Sequence, residues 1–351
     1  MPLLARTIPA PIAVDIRRGA VEGLARLLAD GRISAGGSVA IAVGEGMGEQ
    51  IAAHLAGSLP SAELITVEGG SMESAHRLAE QLRGSFYDAV VGIGGGGTLD
   101  VGKYAASAVG LPFVSVATTL THDGLASPVA VLRTGDRKGS YGVQLPIAVV
   151  VDLDYVTRSP ERHTRSGIGD AVSNLSAVAD WELAARERRE PIDGLAVSLA
   201  RSASAAVVRR TDAIDSETFL TALAEALILS GLSMGIAGSS RPCSGACHEI
   251  SHAIDALFPG TGLHGEQVAV GALFASFLRA DPGIADLDAC LRRYGVPRLP
   301  GDLGLGADDF TSAVVKAPET RPDRYTILEH LGLGHDEVRS RVDAFLESFD
   351  R

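Results

Sequence analysis

The chain has 351 residues, 46% hydrophobic and 21% charged, which is enough for two domains with a sizeable core and is the balance of a globular protein. A formal net charge of -12 excludes nucleic acid and an anionic membrane as expected partners, since both need a basic face. Three cysteines supply no disulfide framework, the N-terminus lacks the charged start and apolar core of a signal peptide, and no apolar run approaches the ~18–20 residues of a membrane span, so the expected location is the cytoplasm.

The first part of the chain alternates strand-like and helix-like stretches. Ser38–Val43, Leu64–Val67, Ala89–Ile93 and Phe113–Ala117 are short β-rich apolar runs. Between them Met47–Leu55, Met72–Leu82 and Leu99–Ala108 repeat apolar residues three and four apart. Such alternation predicts a parallel sheet covered by helices, with a ligand crevice at the carboxyl ends of its strands. Val129–Leu132 and Ile147–Val151, separated by the turn-rich Arg133–Gly142, read as a β-hairpin closing this region.

Beyond Asp152 the texture becomes helical, in Ala171–Ala185, Leu195–Val208, Phe219–Leu232, Val268–Leu278, Asp286–Arg293, Ala307–Val315 and Val338–Phe349. The expected fold is therefore an α/β nucleotide-binding domain over residues 1–160, followed by an all-α metal- and substrate-binding domain over residues 161–351. The charged stretch Arg186–Pro191 reads as a helix end and solvated loop. The many apolar helices suit either the buried contacts of a homo-oligomer or a larger internal core.

Gly94–Gly97 follows one strand and precedes a helix beginning near Thr98, as a phosphate-cradling turn does. It is neither a Rossmann fingerprint, because Leu99 stands at the third glycine, nor a P-loop, because no Gly-Lys-Ser/Thr follows. Asp100 and Lys103 are i and i+3 on one helical face, where they can order the loop or reach a cofactor amide or phosphate. Thr118, Thr119, Thr121 and Ser127 lie just past another strand and can bond a phosphate or a nicotinamide amide, and Asp123 can bind a substrate hydroxyl.

Asp170 opens the predicted helix 170–185; His248 and His252 are i and i+4 on one face, and His264 follows the turn Gly260-Thr-Gly-Leu263. A carboxylate and two imidazoles leave a coordination position open, the mark of a catalytic rather than a structural metal site. Spacing leaves open whether His248 or His252 joins Asp170 and His264, with the other handling substrate. The donor set suits Zn²⁺ and accepts Ni²⁺, Fe²⁺, Co²⁺ or Mn²⁺. Cys243 and Cys247, four apart beside His248, read as small packed residues rather than thiolate ligands. In Gly238-Ser-Ser-Arg-Pro-Cys-Ser-Gly245, the serines, amides and Arg241 are groups that hold an anion.

Gly95-Gly-Gly-Thr-Leu-Asp-Val-Gly-Lys103, Thr121-His-Asp-Gly-Leu-Ala-Ser-Pro128, Gly169-Asp-Ala-Val-Ser-Asn174, Asp180-Trp-Glu-Leu183, the Gly238–Gly245 loop, His248 with His252, and His264-Gly-Glu-Gln-Val268 occur in that order. Together they resemble the sn-glycerol-1-phosphate dehydrogenases, within the metal-dependent polyol dehydrogenases and dehydroquinate synthase-like proteins. The resemblance runs from about residue 10 to 275. It implies reduction of dihydroxyacetone phosphate with NADH or NADPH, and one divalent metal on Asp170, His248 and His264, zinc first, with nickel or iron as alternatives. It also implies dinucleotide contacts from Gly96, Gly97, Thr98, Leu99, Asp100, Thr118, Thr119, Leu120, Thr121 and Ser127. Substrate contacts would come from Asp123, Asp170 and His252, with His252 and Asp170 the catalytic pair, and Arg241 and Lys138 on the phosphate. Two residues depart from the family's pattern. Cys247 stands where glutamate is common, and Gly44, followed by Glu45, stands where an aspartate often holds the adenosine ribose, which leaves NADPH admissible. The alternative readings are a different polyol dehydrogenase and a sugar-phosphate cyclase.

Overall fold

The computed structural model describes residues 8–135 and 137–349, which form two compact units dividing between His163 and Thr164. In the first unit six strands form one parallel sheet: β1 (Ala13–Arg17), β2 (Val39–Gly44), β3 (Glu63–Val67), β4 (Ala89–Gly94), β5 (Phe113–Ala117) and β8 (Ala148–Asp152), in the order β1-β8-β5-β4-β2-β3. The chain runs from β2 outward to β3 and then returns to the other side of β2 for β4. The loops after β2 and β4 thus flank a topological switch point, where open α/β sheets leave a crevice for ligands.

The strands are near-continuous apolar runs because both faces of the sheet are covered. Val39, Ile41 and Val43 share one face of β2 and pack with Ile51 and Leu55 of α2 (Met47–Leu55) and with Leu24 and Leu28 of α1 (Leu24–Leu28). Fully burying a side chain such as Ile51 is worth about 2 kcal/mol. α3 (Met72–Arg83), capped by the Ser71 hydroxyl on the Ser74 amide, and α4 (Gly96–Val109) pack on each other. Among the described residues a short α5 (Leu153–Val156) ends this unit's sheet layer.

One sequence expectation is corrected in this unit, and one strand adds to those expected. Val129–Leu132 does not pair with Ile147–Val151. It lies in β6 (Val129–Thr134), which pairs antiparallel with the polar β7 (Arg137–Gly142), while β8 sits inside the parallel sheet between β5 and β1. All five residues of β8 are buried, which is what its unbroken Ala-Val-Val-Val-Asp run demands. β1 was not foreseen, because Ala-Val-Asp-Ile-Arg is an edge strand with charged residues at alternate positions.

The second unit is helical: α6 (Glu161–Arg188, whose first residues precede the division), α7 (Gly194–Val208), α8 (Glu217–Ala237), α9 (Ala246–Leu257), α10 (His264–Arg279), α11 (Ile284–Tyr294), α12 (Ala307–Lys316), α13 (Ile327–Leu331) and α14 (His335–Phe349). α6 begins well before Asp170, so Asp170 lies inside the helix and is not an opening cap. α8 is the one helix among the described residues long and apolar enough to cross a membrane, contrary to the sequence reading. It is a core helix, with 67% of its most apolar window buried, and it packs on α7. Phe274 on α10 meets Phe310 on α12 and Phe345 on α14, with ring centroids 5.3 Å apart in each pair, and this seats the C-terminal helices.

Candidate metal centre and dinucleotide loop

Three helices bring the metal-type ligands together. One ligand atom each from Asp170 on α6, His248 on α9 and His264 on α10 lies within 4.8 Å of the others. Asp170 Oδ1 is 4.0 Å from His248 Nε2 and 3.8 Å from His264 Nε2. The helices approach this closely because glycines stand at their crossings. A Cβ at Gly169 would fall 2.1 Å from the Gly265 carbonyl oxygen, and one at Gly271 would fall 2.7 Å from that of Cys247. His252, one turn past His248, lies outside the convergent set, its ring centroid 6.4 Å from that of His248.

Hydrogen bonds fix the His264 ring. Gln267 Nε2 donates to Asp255 Oδ1 and to the Thr261 carbonyl, so its Oε1 faces Ser251 and accepts the Ser251 hydroxyl proton at 2.6 Å. Having given its one proton to Gln267, Ser251 Oγ acts as acceptor for His264 Nδ1, 3.3 Å away. In the neutral ring the proton of His264 therefore sits on Nδ1, which leaves the Nε2 lone pair facing Asp170, as a metal ligand requires. Burial holds the pKa of His248 well below its ordinary value, helped by His264, His252, Arg321 and Arg324, so this imidazole is neutral. Two imidazoles, of which His248 is held neutral, and a carboxylate buried to 4% exposure are a donor set that fits a divalent cation.

Cys247 is not a further ligand. Its Sγ lies 3.3 Å from His248 Nδ1, on the ring edge opposite Nε2, and burial pushes the thiol up to about 12. Cys243 is likewise buried, its thiol bonded to the Ser230 carbonyl. Arg241 is 6% exposed, and its guanidinium forms a two-pronged ion pair with Glu190, both bonds at 2.6 Å, and a bond to the Tyr325 carbonyl; its Nη1 has no hydrogen-bond partner. Glu190 thus does not stand in a merely solvated loop, because it neutralises a buried arginine.

Sequence reasoning read no role into Asp180 beyond the resemblance. Fully buried, it accepts from Arg279 Nη1 on α10 and the Ala246 amide that starts α9, and from the Ile327 amide that starts α13. One carboxylate thereby ties the metal-bearing helices α6, α9 and α10 to one another. The signal available was an aspartate at helical spacing from Asp170, followed by tryptophan.

In the first unit the glycine loop closes β4 and opens α4. Gly96 and Thr98 are half-buried and Gly97 is exposed, so this first turn presents backbone amides. A Cβ at Gly96 would fall 2.3 Å from His122 Nε2, so His122 lies over the loop, its Nδ1 accepting from the Gly124 amide. Thr119 Oγ1 is bonded to Thr121 Oγ1 at 3.0 Å beside Gly95, which brings the threonine loop to the glycine loop. Leu99, Leu120, Thr118 and Ser127 are buried, and Asp123 is half-buried in a single turn of 3-10 helix. Asp100 Oδ2 accepts from the Val131 amide, and its Oδ1 is 2.9 Å from Lys103 Nζ. Lys103 is buried and donates to the carbonyls of Gly124, Ser127 and Val129, so of its two expected roles it fulfils that of ordering the loop. Lys138 is exposed on β7. At Gly44 a Cβ would fall 2.2 Å from Thr98 Oγ1, which explains why no side chain stands there.

The chain is 38% identical to a glycerol-1-phosphate dehydrogenase (NAD(P)+) of Thermofilum pendens, over 91% of this chain and 92% of the relative. It belongs to the glycerol-1-phosphate dehydrogenase family. A second member, from Archaeoglobus fulgidus, is 39% identical over 76% of this chain and 78% of its own. Residues 15–160 match the family model described as iron-containing alcohol dehydrogenase. The fold is that of a probable glycerol dehydrogenase from Sinorhizobium meliloti, with a TM-score of 0.80 at 23% identity, covering 98% of this chain and 100% of the other. As a member of the glycerol-1-phosphate dehydrogenase family the chain is an enzyme, an oxidoreductase, as its sequence motifs implied.

Proposed function

We propose that this enzyme catalyses the metal-dependent, reversible reduction of dihydroxyacetone phosphate to sn-glycerol 1-phosphate with NADH or NADPH. The observation that carries the reading is the convergence of Asp170, His248 and His264 in a chain 38% identical to a glycerol-1-phosphate dehydrogenase along 91% of its length. When bound, NAD(P)H supplies the hydride and a divalent ion, zinc first, supplies the Lewis acidity that favours negative charge on the ketone oxygen.

The remaining chemistry belongs to the chain's own residues. Asp170, His248 and His264 hold the ion, and the Ser251–Gln267 pair holds His264 in the tautomer that can do so. His252, on the same face of α9, contacts substrate and supplies the proton, a task for which an imidazole is suited near neutrality. Asp123 and Asp170 orient the substrate hydroxyl. Gly96 to Asp100, Thr118 to Thr121 and Ser127 form the dinucleotide site, with Leu99, Leu120 and Asp100 contributing backbone, since their side chains are buried or already bonded. Arg241 contributes to holding the substrate phosphate, with only Nη1 left to donate. Cytoplasmic residence accords with three buried cysteines held as thiols.

The test is oxidation of NADH and of NADPH by dihydroxyacetone phosphate, before and after chelation and after restoring zinc, nickel or iron. The expected result is turnover that depends on metal and on the phosphate of the ketone. Metal-loaded protein that leaves dihydroxyacetone phosphate untouched overturns the reading, and equal use of unphosphorylated dihydroxyacetone favours another polyol dehydrogenase.

A further inference from the structure

We propose that Arg321, backed by Arg324, is the anion-binding residue beside the metal centre, and that it takes the phosphate monoester of the metal-bound substrate. The residue lies in the C-terminal part of the chain, beyond the segments that carry the family motifs, and is held there by α9. Thr320 closes the turn after α12 through its hydroxyl bond to the Ala317 carbonyl and reaches the Glu249 carbonyl at 3.4 Å, one residue past His248. The Arg324 amide donates to the Arg321 carbonyl at 2.9 Å, so the two arginines share one tight turn. Two residues further, Thr326 donates to Glu249 Oε2 at 3.0 Å, and the Ile327 amide donates to Asp180. The turn from 320 to 327 is therefore pinned to the helix that carries His248.

The charges in this turn are unbalanced. Arg324 donates to the Ser244 carbonyl and to Ser240 Oγ, spanning the serine-rich loop that leads into α9. Burial, then Arg321 and Arg241, lower its pKa to about 10, so three guanidinium groups crowd one another. Arg241 has Glu190 as its carboxylate partner. The Arg321 side chain is half-buried and makes no hydrogen bond or ion pair among the described residues, and it lies near enough to Arg324 and His248 to disfavour further positive charge on each. The buried Arg241 Nη1 is a second donor with no partner in the same cluster. Arg241, Arg321 and Arg324 outnumber the carboxylates Glu190 and Asp323 beside them, and this excess of positive charge defines a site for an anionic group. In a triose phosphate only a methylene and an ester oxygen separate the carbonyl carbon from phosphorus. An oxygen held at Asp170, His248 and His264 therefore brings the phosphate into the neighbourhood of His248.

The identity of the carrier, a triose phosphate, rests on the proposed function, whereas the anion site does not. Inorganic phosphate is titrated calorimetrically into metal-loaded wild type, Arg321→Ala and Arg321→Lys, with metal content measured in each. Arg321→Ala is expected to bind phosphate about tenfold or more weakly at full metal content, with Arg321→Lys intermediate, since one charge-assisted bond is lost or reshaped. Unchanged phosphate affinity in Arg321→Ala overturns the proposal whether or not the enzyme reduces dihydroxyacetone phosphate. NADH and NADPH binding, followed by fluorescence, separates the two possible sources of phosphate. Weakening of the dinucleotide in step with inorganic phosphate would assign Arg321 to the cofactor and overturn the substrate assignment. A rise in KM for dihydroxyacetone phosphate with NADH binding unaltered supports it.

Discussion

Gly169 and Gly265 touch so closely that a Cβ on the first would fall 2.1 Å from the carbonyl oxygen of the second. The next residue along α6 is Asp170 and the preceding residue on α10 is His264, so the backbone contact sets the distance between two metal-type ligands. Gly169→Ala is expected to spread α6 from α10, at a cost of about 1–3 kcal/mol or more, as overpacking in a core does. Urea denaturation and metal analysis of the purified variant check this. A stable variant with full metal content would show that the crossing tolerates a methyl group.

The ring of His264 depends on a relay that begins two side chains away. Ser251→Ala removes the acceptor at Nδ1, and Gln267→Leu frees the Ser251 proton to turn toward the imidazole. Each variant is expected to bind zinc about 10–100-fold more weakly, as loss of an outer partner of a ligating histidine does. Competition with a chromophoric chelator measures the change. Affinities equal to wild type would mean that the ring is held by packing alone.

Lys103 stands buried against Asp100 and three carbonyl groups. Lys103→Met keeps the stem but leaves the carboxylate and carbonyls without their donor. The expected loss is about 3–5 kcal/mol, the range for breaking one side of a buried ion pair. Dinucleotide binding should weaken with it, because those carbonyls belong to the loop after Asp123. Wild-type unfolding and cofactor titrations in the variant would refute this.

Asp88 accepts from the Gly36 and Ser38 amides, at 2.9 and 3.1 Å, and from the Ser34 hydroxyl. The Ser38 amide first, then that of Gly36, hold its pKa below the ordinary 3.8, against the opposing effect of burial. The unfolded chain consequently takes up this proton at higher pH than the folded one. The stabilisation is complete above the unfolded value and is lost as pH falls through the lower folded value. Asp88→Asn is expected to flatten the acid limb of the Tm–pH curve in this range, and superimposable limbs would show that other carboxylates control it.

What the sequence conveyed follows from where the information sits. Val39, Ile41 and Val43 face α2, and the continuous apolar runs of β4 and β5 fill the middle of a sheet covered on both faces, so burial wrote these strands into local composition. The β6–β7 pair was illegible because Arg137-Lys-Gly-Ser-Tyr-Gly142 has no apolar alternation, and the buried run of β8 offered a more attractive partner. Residues 161–169 of α6 look like a loop, being polar and glycine-containing. Gly167 and Gly169 are buried, however, and Gly169 is small because another helix lies against it. The metal-type ligands sat in dense local motifs and could be named beforehand. The roles of Asp180, Arg321 and Arg324 could not be read, since their partners lie far away along the chain.

Asp170 and His264 come from opposite ends of a stretch that includes all of α7, α8 and α9. An unfolded chain offers an ion only neighbouring donors such as His248 and His252, whereas the folded second unit offers a three-point grip. An ion that grips one state alone acts as a thermodynamic ratchet, adding about 2.7 kcal/mol to folding when its free concentration is a hundred times its dissociation constant. Metal scarcity would accordingly be registered first as a shorter lifetime of the polypeptide against proteolysis, before any question of turnover arises.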